Sequence, residues 1–64
     1  MEVNTMVRMF VTHMTTDDKP SALKLAKKLF KDKGYTRLGF KPELKFLGRK
    51  AGFSSYELYR VKMQ

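Results

Sequence analysis

Lys24, Lys27, Lys28 and Lys31 follow the spacing i, i+3, i+4, i+7, which sets four ammonium groups along one side of a helix. Asp32, four residues after Lys28, is the single acid at pairing distance from that stripe. Like charges so placed repel by roughly 0.2–0.5 kcal/mol per pair. A lysine-rich but merely solvated face is the plainer explanation. The sharper one is a surface that meets a polyanion, where each ammonium neutralises a phosphate and releases its counterion.

The charge map sharpens that contrast. Residues 1–18 hold Arg8 against Glu2, Asp17 and Asp18, a net of −2. Residues 19–64 hold thirteen bases against Asp32, Glu43 and Glu57, a net of +10, and the whole chain carries +8. Arg37, Lys41, Lys45, Arg49, Lys50, Arg60 and Lys62 are interleaved with Tyr35, Phe40, Phe46, Phe53, Tyr56 and Tyr59. Bases of nucleic acid stack on exposed aromatic rings. A core this small needs most of its rings, so Phe30, Phe40 and Phe46 are expected inside and a tyrosine outside. The expected nucleic-acid contacts are Lys24, Lys27, Lys28, Lys31, Arg37, Lys45, Arg49, Lys50, Tyr56, Tyr59 and Arg60.

Other chemistry is sparse. His13 is the one histidine, and a metal site needs three or four ligands together. Asp17 and Asp18 precede a helix, where acids cap its N–H groups and complement its dipole. There is no cysteine, no glycine-rich phosphate loop and no serine-nucleophile motif. The expectation is a protein without catalysis, cofactor or metal. No run approaches the roughly 18 apolar residues of a membrane span. The first fourteen residues carry Glu2 and Arg8 where a secretory signal needs an unbroken apolar stretch, so a cytoplasmic, intracellular protein is expected.

The elements that must hold these residues fit in one domain, residues 1–64. A chain this short buries only about 60% of the surface it exposes unfolded, so its core is marginal. Residues 6–14, MVRMFVTHM, are β-branched and aromatic enough for a strand. Strict alternation puts Val7, Met9, Val11 and His13 on one face and Met6, Arg8, Phe10, Thr12 and Met14 on the other. After the polar stretch 15–19, Pro20 suits a first helical turn, and SALKLAKKLFKDK continues it. Ala22, Leu25, Ala26 and Leu29 form its apolar stripe, widened by Leu23 and Phe30. Leu25 and Leu29 are the expected centre, and Gly34 suits the left-handed residue that ends the helix.

Residues 35–64 admit two readings. As strands they give TRLGF, LKFLGRK and YELYRVKMQ, with Lys-Pro-Glu and AGFSS as turns. As helices, Pro42 opens one, Gly52 breaks it, and Ser54 with Glu57 caps a second. The segment Leu44–Met63 resembles a helix-turn-helix, and its AGFSS centre is similar to that of the AraC-type regulators. Gly48 stands four before the turn glycine Gly52, Phe53 follows, Ser54 opens the second helix, and Leu58 and Val61 take its buried positions. That resemblance implies a DNA-binding segment with Ser55, Tyr56, Tyr59 and Arg60 facing the major groove.

The helical reading leaves strand 6–14 alone in its chain, with backbone groups that only a second copy could pair. The strand reading pairs them within one chain. The expected fold is therefore α+β, β-α-β-β with room for a fourth strand, one helix packed on an antiparallel sheet. The alternative is an N-terminal strand plus three helices. The expected function is a small basic nucleic-acid-binding protein, with DNA and RNA both open. The alternative is an interaction protein that docks on an acidic surface of a partner protein. A marginal core leaves room for a homodimer in either case.

Overall fold

Asp18 stops the first strand and starts the helix. Its backbone is extended (φ −152°), and its carboxylate accepts a hydrogen bond from the Ser21 backbone N–H at 2.8 Å. The Ser21 hydroxyl and N–H hold the Asp18 carboxyl below its ordinary pKa. This cap is therefore present above the ordinary carboxylate pKa and is lost as pH falls through the lowered one. The computed structural model describes residues 5–63. Within them the chain forms β1 (Met6–Thr16), α1 (Lys19–Asp32), β2 (Lys41–Lys50) and β3 (Phe53–Met63). The fold is β-α-β-β, with one helix packed on a three-stranded antiparallel sheet of order β1-β3-β2. Among the described residues no helix is long and apolar enough to cross a membrane.

Pro20 lies in the first turn of α1, where its missing N–H costs no helical bond. Gly34, at φ +78°, ends the helix, and the Tyr35 N–H returns to Phe30 O at 2.9 Å. TRLGF, expected as a strand, is instead part of a run of turns over residues 33–39. The N–H groups of Leu38, Gly39 and Phe40 close on Tyr35 O, Thr36 O and Tyr35 O at 3.0–3.1 Å, which an extended segment cannot do. Gly39 takes φ +90°, and the Tyr35 and Phe40 rings meet edge-on at 6.0 Å across the fold-back. The described residues contain no fourth strand.

β2 and β3 form a hairpin in which Lys50 pairs with Phe53. The two residues between them, Ala51 and Gly52, have φ +53° and +81°, the left-handed pair that matches the twist of a two-residue hairpin turn. The helix-turn-helix implied for residues 44–63 is therefore absent, and the strand-plus-three-helices alternative with it. Gly52 closes a hairpin, and Ser54, Leu58 and Val61 lie on one strand. That strand satisfies β1 on one edge and β2 on the other within a single chain. Phe53, Ser54 and Ser55, expected in the turn, belong to β3.

Each outer strand carries a bulge, at Val11 between Phe10 and Thr12, and at Leu47 between Phe46 and Gly48. An extra residue reverses the alternation beyond it. Met9 lies opposite Arg60 and Thr12 opposite Leu58, so Val7, Met9, Thr12, Met14 and Thr16 share the helix side. Arg8, Phe10, His13 and Thr15 share the open side. The uninterrupted alternation expected for β1 thus holds up to Val11, which packs on the core with the helix side, and is reversed from Thr12 onward.

Ala22, Ala26 and Phe30, spaced by four, are fully buried, and Leu58 of the central strand meets Ala26 and Phe30. Val11, Met14, Leu29, Tyr35, Phe40 and Leu44 close around them. The stripe is rotated from its expected centre, because Leu25 is 50% exposed. Seating the alanine line brings the helix close and buries the whole Phe30 ring, which a Leu25-centred seat would expose. Of the rings expected inside, Phe30 is buried and Phe40 packs against the core, but Phe46 is not enclosed. Phe46, on edge strand β2, is 58% exposed, whereas Tyr56, on β3 between two neighbours, is only 4% exposed. Phe30→Ala should destabilise by about 3–5 kcal/mol, and Leu25→Ala should stay within about 0.5 kcal/mol of the parent. Thermal melts of the two variants check the rotation, and a larger loss for Leu25→Ala would reverse it.

Candidate nucleic-acid interface

The helix rotation decides where its lysines go. Lys27 and Lys31 each follow a buried residue of the Ala22–Ala26–Phe30 line by one position, about 100° around the axis. Lys24 and Lys28 follow by two, about 200° around, and face away from the sheet. All four are exposed. Lys27 and Lys31 form one wall of a groove of about 740 Å³. Thr36 and Arg37 of the turn, with Lys41 at the start of β2, form the other wall. Phe40 and Pro42 supply an apolar floor over buried Phe30. No acidic residue lines it.

Lys41 is absent from the contacts expected on sequence. It heads the basic run after the turn, which is a signal, but only the folded turn brings it to the edge of the groove that Lys31 lines. Arg37 is exposed and joins the groove as a neighbour of the helix lysines.

The remaining expected contacts lie elsewhere or are engaged. Tyr56 is buried and offers no face to a base. Arg49 is a clip: Nη1 donates to Asp17 O at 2.9 Å and Ser54 Oγ at 3.0 Å, and Nη2 donates to Gly52 O at 3.1 Å. It thereby ties the hairpin end to the β1–α1 connection. Arg60 lies with its guanidinium carbon 4.8 Å from the Tyr35 ring centre and 5.0 Å from that of Phe40. Its Nη2 approaches Met9 Sδ at 3.2 Å. Both arginines hold the fold rather than a free surface.

Tyr59, Lys41, Lys45 and Lys50 share the open side of the sheet, and of these only Lys41, at the start of β2, also borders the groove. Arg8 sits 4.0 Å over the Tyr59 ring and pairs with Glu43 at 2.8 Å. The Tyr59 hydroxyl donates to Glu57 Oε1 at 3.1 Å. Partial desolvation, then that bond to Glu57, raises the Tyr59 pKa. Glu57 also lies 3.9 Å from Lys45 Nζ and 3.7 Å from His13 Nε2. Among the described residues the acids of the sheet pair with Arg8 and Lys45 on its open side, and no acid pairs with the helix lysines.

Comparison with protein-family models, curated proteins and solved structures gives no match, so the interface rests on this chain's own geometry. Arg49→Ala removes three hydrogen bonds at a partly exposed site and should destabilise by about 1–2 kcal/mol. Arg49→Lys should restore little, because one ammonium cannot span the fork. Equilibrium denaturation checks this, with Lys50→Ala as the neutral control. An Arg49→Ala variant as stable as the parent would release Arg49 to the candidate interface.

Proposed function

We propose that this is a small nucleic-acid-binding protein of the cell interior, without catalysis, which grips phosphates with one side of its fold. The carrying observation is the set Lys24, Lys27, Lys28, Lys31, Arg37 and Lys41, all exposed on the helix and the adjoining groove wall. No described acid pairs with any of them. Five of these cations lie on the helix side, and Lys41, on the open face of β2, borders the groove. Cations so grouped release counterions together when they meet a polyanion, and the gain grows with each phosphate neutralised. Contacts of this kind position a strand without reading its sequence, so binding is weakly sequence-selective. The protein acts alone or as a homodimer joined through the outer edges of β1 and β2, since neither copy needs the helix face for pairing.

A second reading has its own observation. Met6, Phe10, Phe53 and Met63 are exposed on the open side of the sheet, and phosphate binding makes no use of them. Docking on an acidic, partly apolar partner protein would cover them. A salt titration separates the two, because burial of apolar area is far less salt-sensitive than phosphate binding.

Replacing Lys24, Lys27 and Lys28 by glutamate should leave the helix intact, since glutamate and lysine are comparable helix formers. Affinity for nucleic acid should collapse. The slope of log affinity against log salt should shrink by roughly one unit for each phosphate no longer neutralised. A folded triple variant that binds like the parent with the same slope would reduce the stripe to a solvated face.

A further inference from the structure

The groove contains more than phosphate binding requires. A site for phosphate alone needs cations and donors, yet here the cations rim an apolar floor. Phe40 and Pro42 form that floor between Lys27 and Lys31 on one wall and Arg37 and Lys41 on the other. Its volume, about 740 Å³, lies within the range of sites that enclose small organic groups.

The floor is also held in place. The Phe40 ring has Tyr35 edge-on at 6.0 Å, the Arg60 guanidinium at 5.0 Å and Lys62 Nζ at 5.5 Å. Lys62 Nζ donates to Leu38 O at 2.8 Å, which pins the turn that carries Phe40. Arg60 and Lys62 are thus positioning residues, and the groove is formed before a ligand arrives. A preformed seat avoids the ordering cost that a mobile loop would add on binding.

Resting on the nucleic-acid reading above, we infer that this groove takes an unstacked base of a single strand. The base lies on Phe40 and Pro42, and the phosphates on either side of it lie against Lys27, Lys31, Arg37 and Lys41. Charge complementarity selects the ligand class, since the rim is cationic and no acid lines the groove. The apolar floor selects the single strand. Every base has a π-face that stacks on an aromatic ring irrespective of sequence. In a duplex that face is already stacked, and extruding the base costs energy that a single strand does not spend. The protein therefore prefers single-stranded nucleic acid to duplex through the same cations that bind both.

The test is a competition between a twelve-nucleotide oligothymidylate and a duplex of equal length, each titrated at two salt concentrations. The parent should bind the single strand about tenfold more tightly. Phe40→Leu keeps an apolar core contact but removes the aromatic plane, so it should lose most of that preference while the salt slope stays unchanged. In the parent, the backbone amides of Thr36, Arg37, Phe40 and Lys41 should show the largest NMR shift changes with the single strand. That map decides the matter even if the Phe40 variant misfolds. Equal affinity for both forms, or shifts centred on the open side of the sheet, would overturn the groove assignment while leaving the phosphate reading standing. Absence of binding to either form would overturn both. A poly-glutamate peptide that displaces the oligothymidylate and shifts the same amides as strongly would assign the groove to an acidic protein partner instead.

Discussion

Ala26 and Phe30 of α1 meet Leu58 of β3, and that contact fixes the rotation of α1 over the sheet. The alanines matter as much as the ring, because their small side chains let the helix approach until Phe30 is fully enclosed. With that line facing inward, the helix has no freedom over its remaining sides. Lys27 and Lys31 lean toward β2, Lys24 and Lys28 face outward, and Leu25 is left exposed. A rotation by one residue would bury a lysine or expose Phe30, and both are costly. The cationic side is thus a consequence of core packing.

A second constraint carries the groove. The chain must return from the end of α1 to the outer edge of the sheet, since β2 pairs with β3 on the side away from β1. The turns at 33–39 accomplish this, ended by Gly39 and stacked through Tyr35 and Phe40. Arg60 and Lys62 of β3 close over those rings. Two basic residues of the chain therefore serve the fold, and the turn they steady brings Arg37 and Lys41 beside the helix lysines.

Much of this is legible in the sequence wherever the cause is local. Asp18, Pro20 and Gly34 mark the helix ends through their own backbone chemistry, and the lysine stripe is readable because it lies within a single helix. What the sequence hides depends on partners far along the chain. The bulges at Val11 and Leu47 arise in pairing with β3 and reverse which side chains face the helix. Tyr56 is buried and Phe46 exposed because β3 is central and β2 is an edge, a matter of strand order rather than residue type. Arg49 and Arg60 look like free cations until Asp17 and Met9 reach them from 32 and 51 residues away. The resemblance of residues 44–63 to a helix-turn-helix rests on glycine and apolar spacings that a hairpin satisfies equally well.

The two sides of the sheet differ in charge for the same reason. Glu43 and Glu57 point to the open side and find Arg8, Lys45 and His13 there. The helix side has Asp32 four residues after Lys28, yet no described acid forms an ion pair with its lysines. Lysine footprinting in the bound state tests that division most directly, with acetylation of each lysine read by mass spectrometry with and without nucleic acid. A one-sided grip predicts protection of Lys24, Lys27, Lys28 and Lys31, with Lys45 and Lys50 as reactive as in the free protein. Protection of Lys45 and Lys50 with the helix lysines left reactive would contradict it.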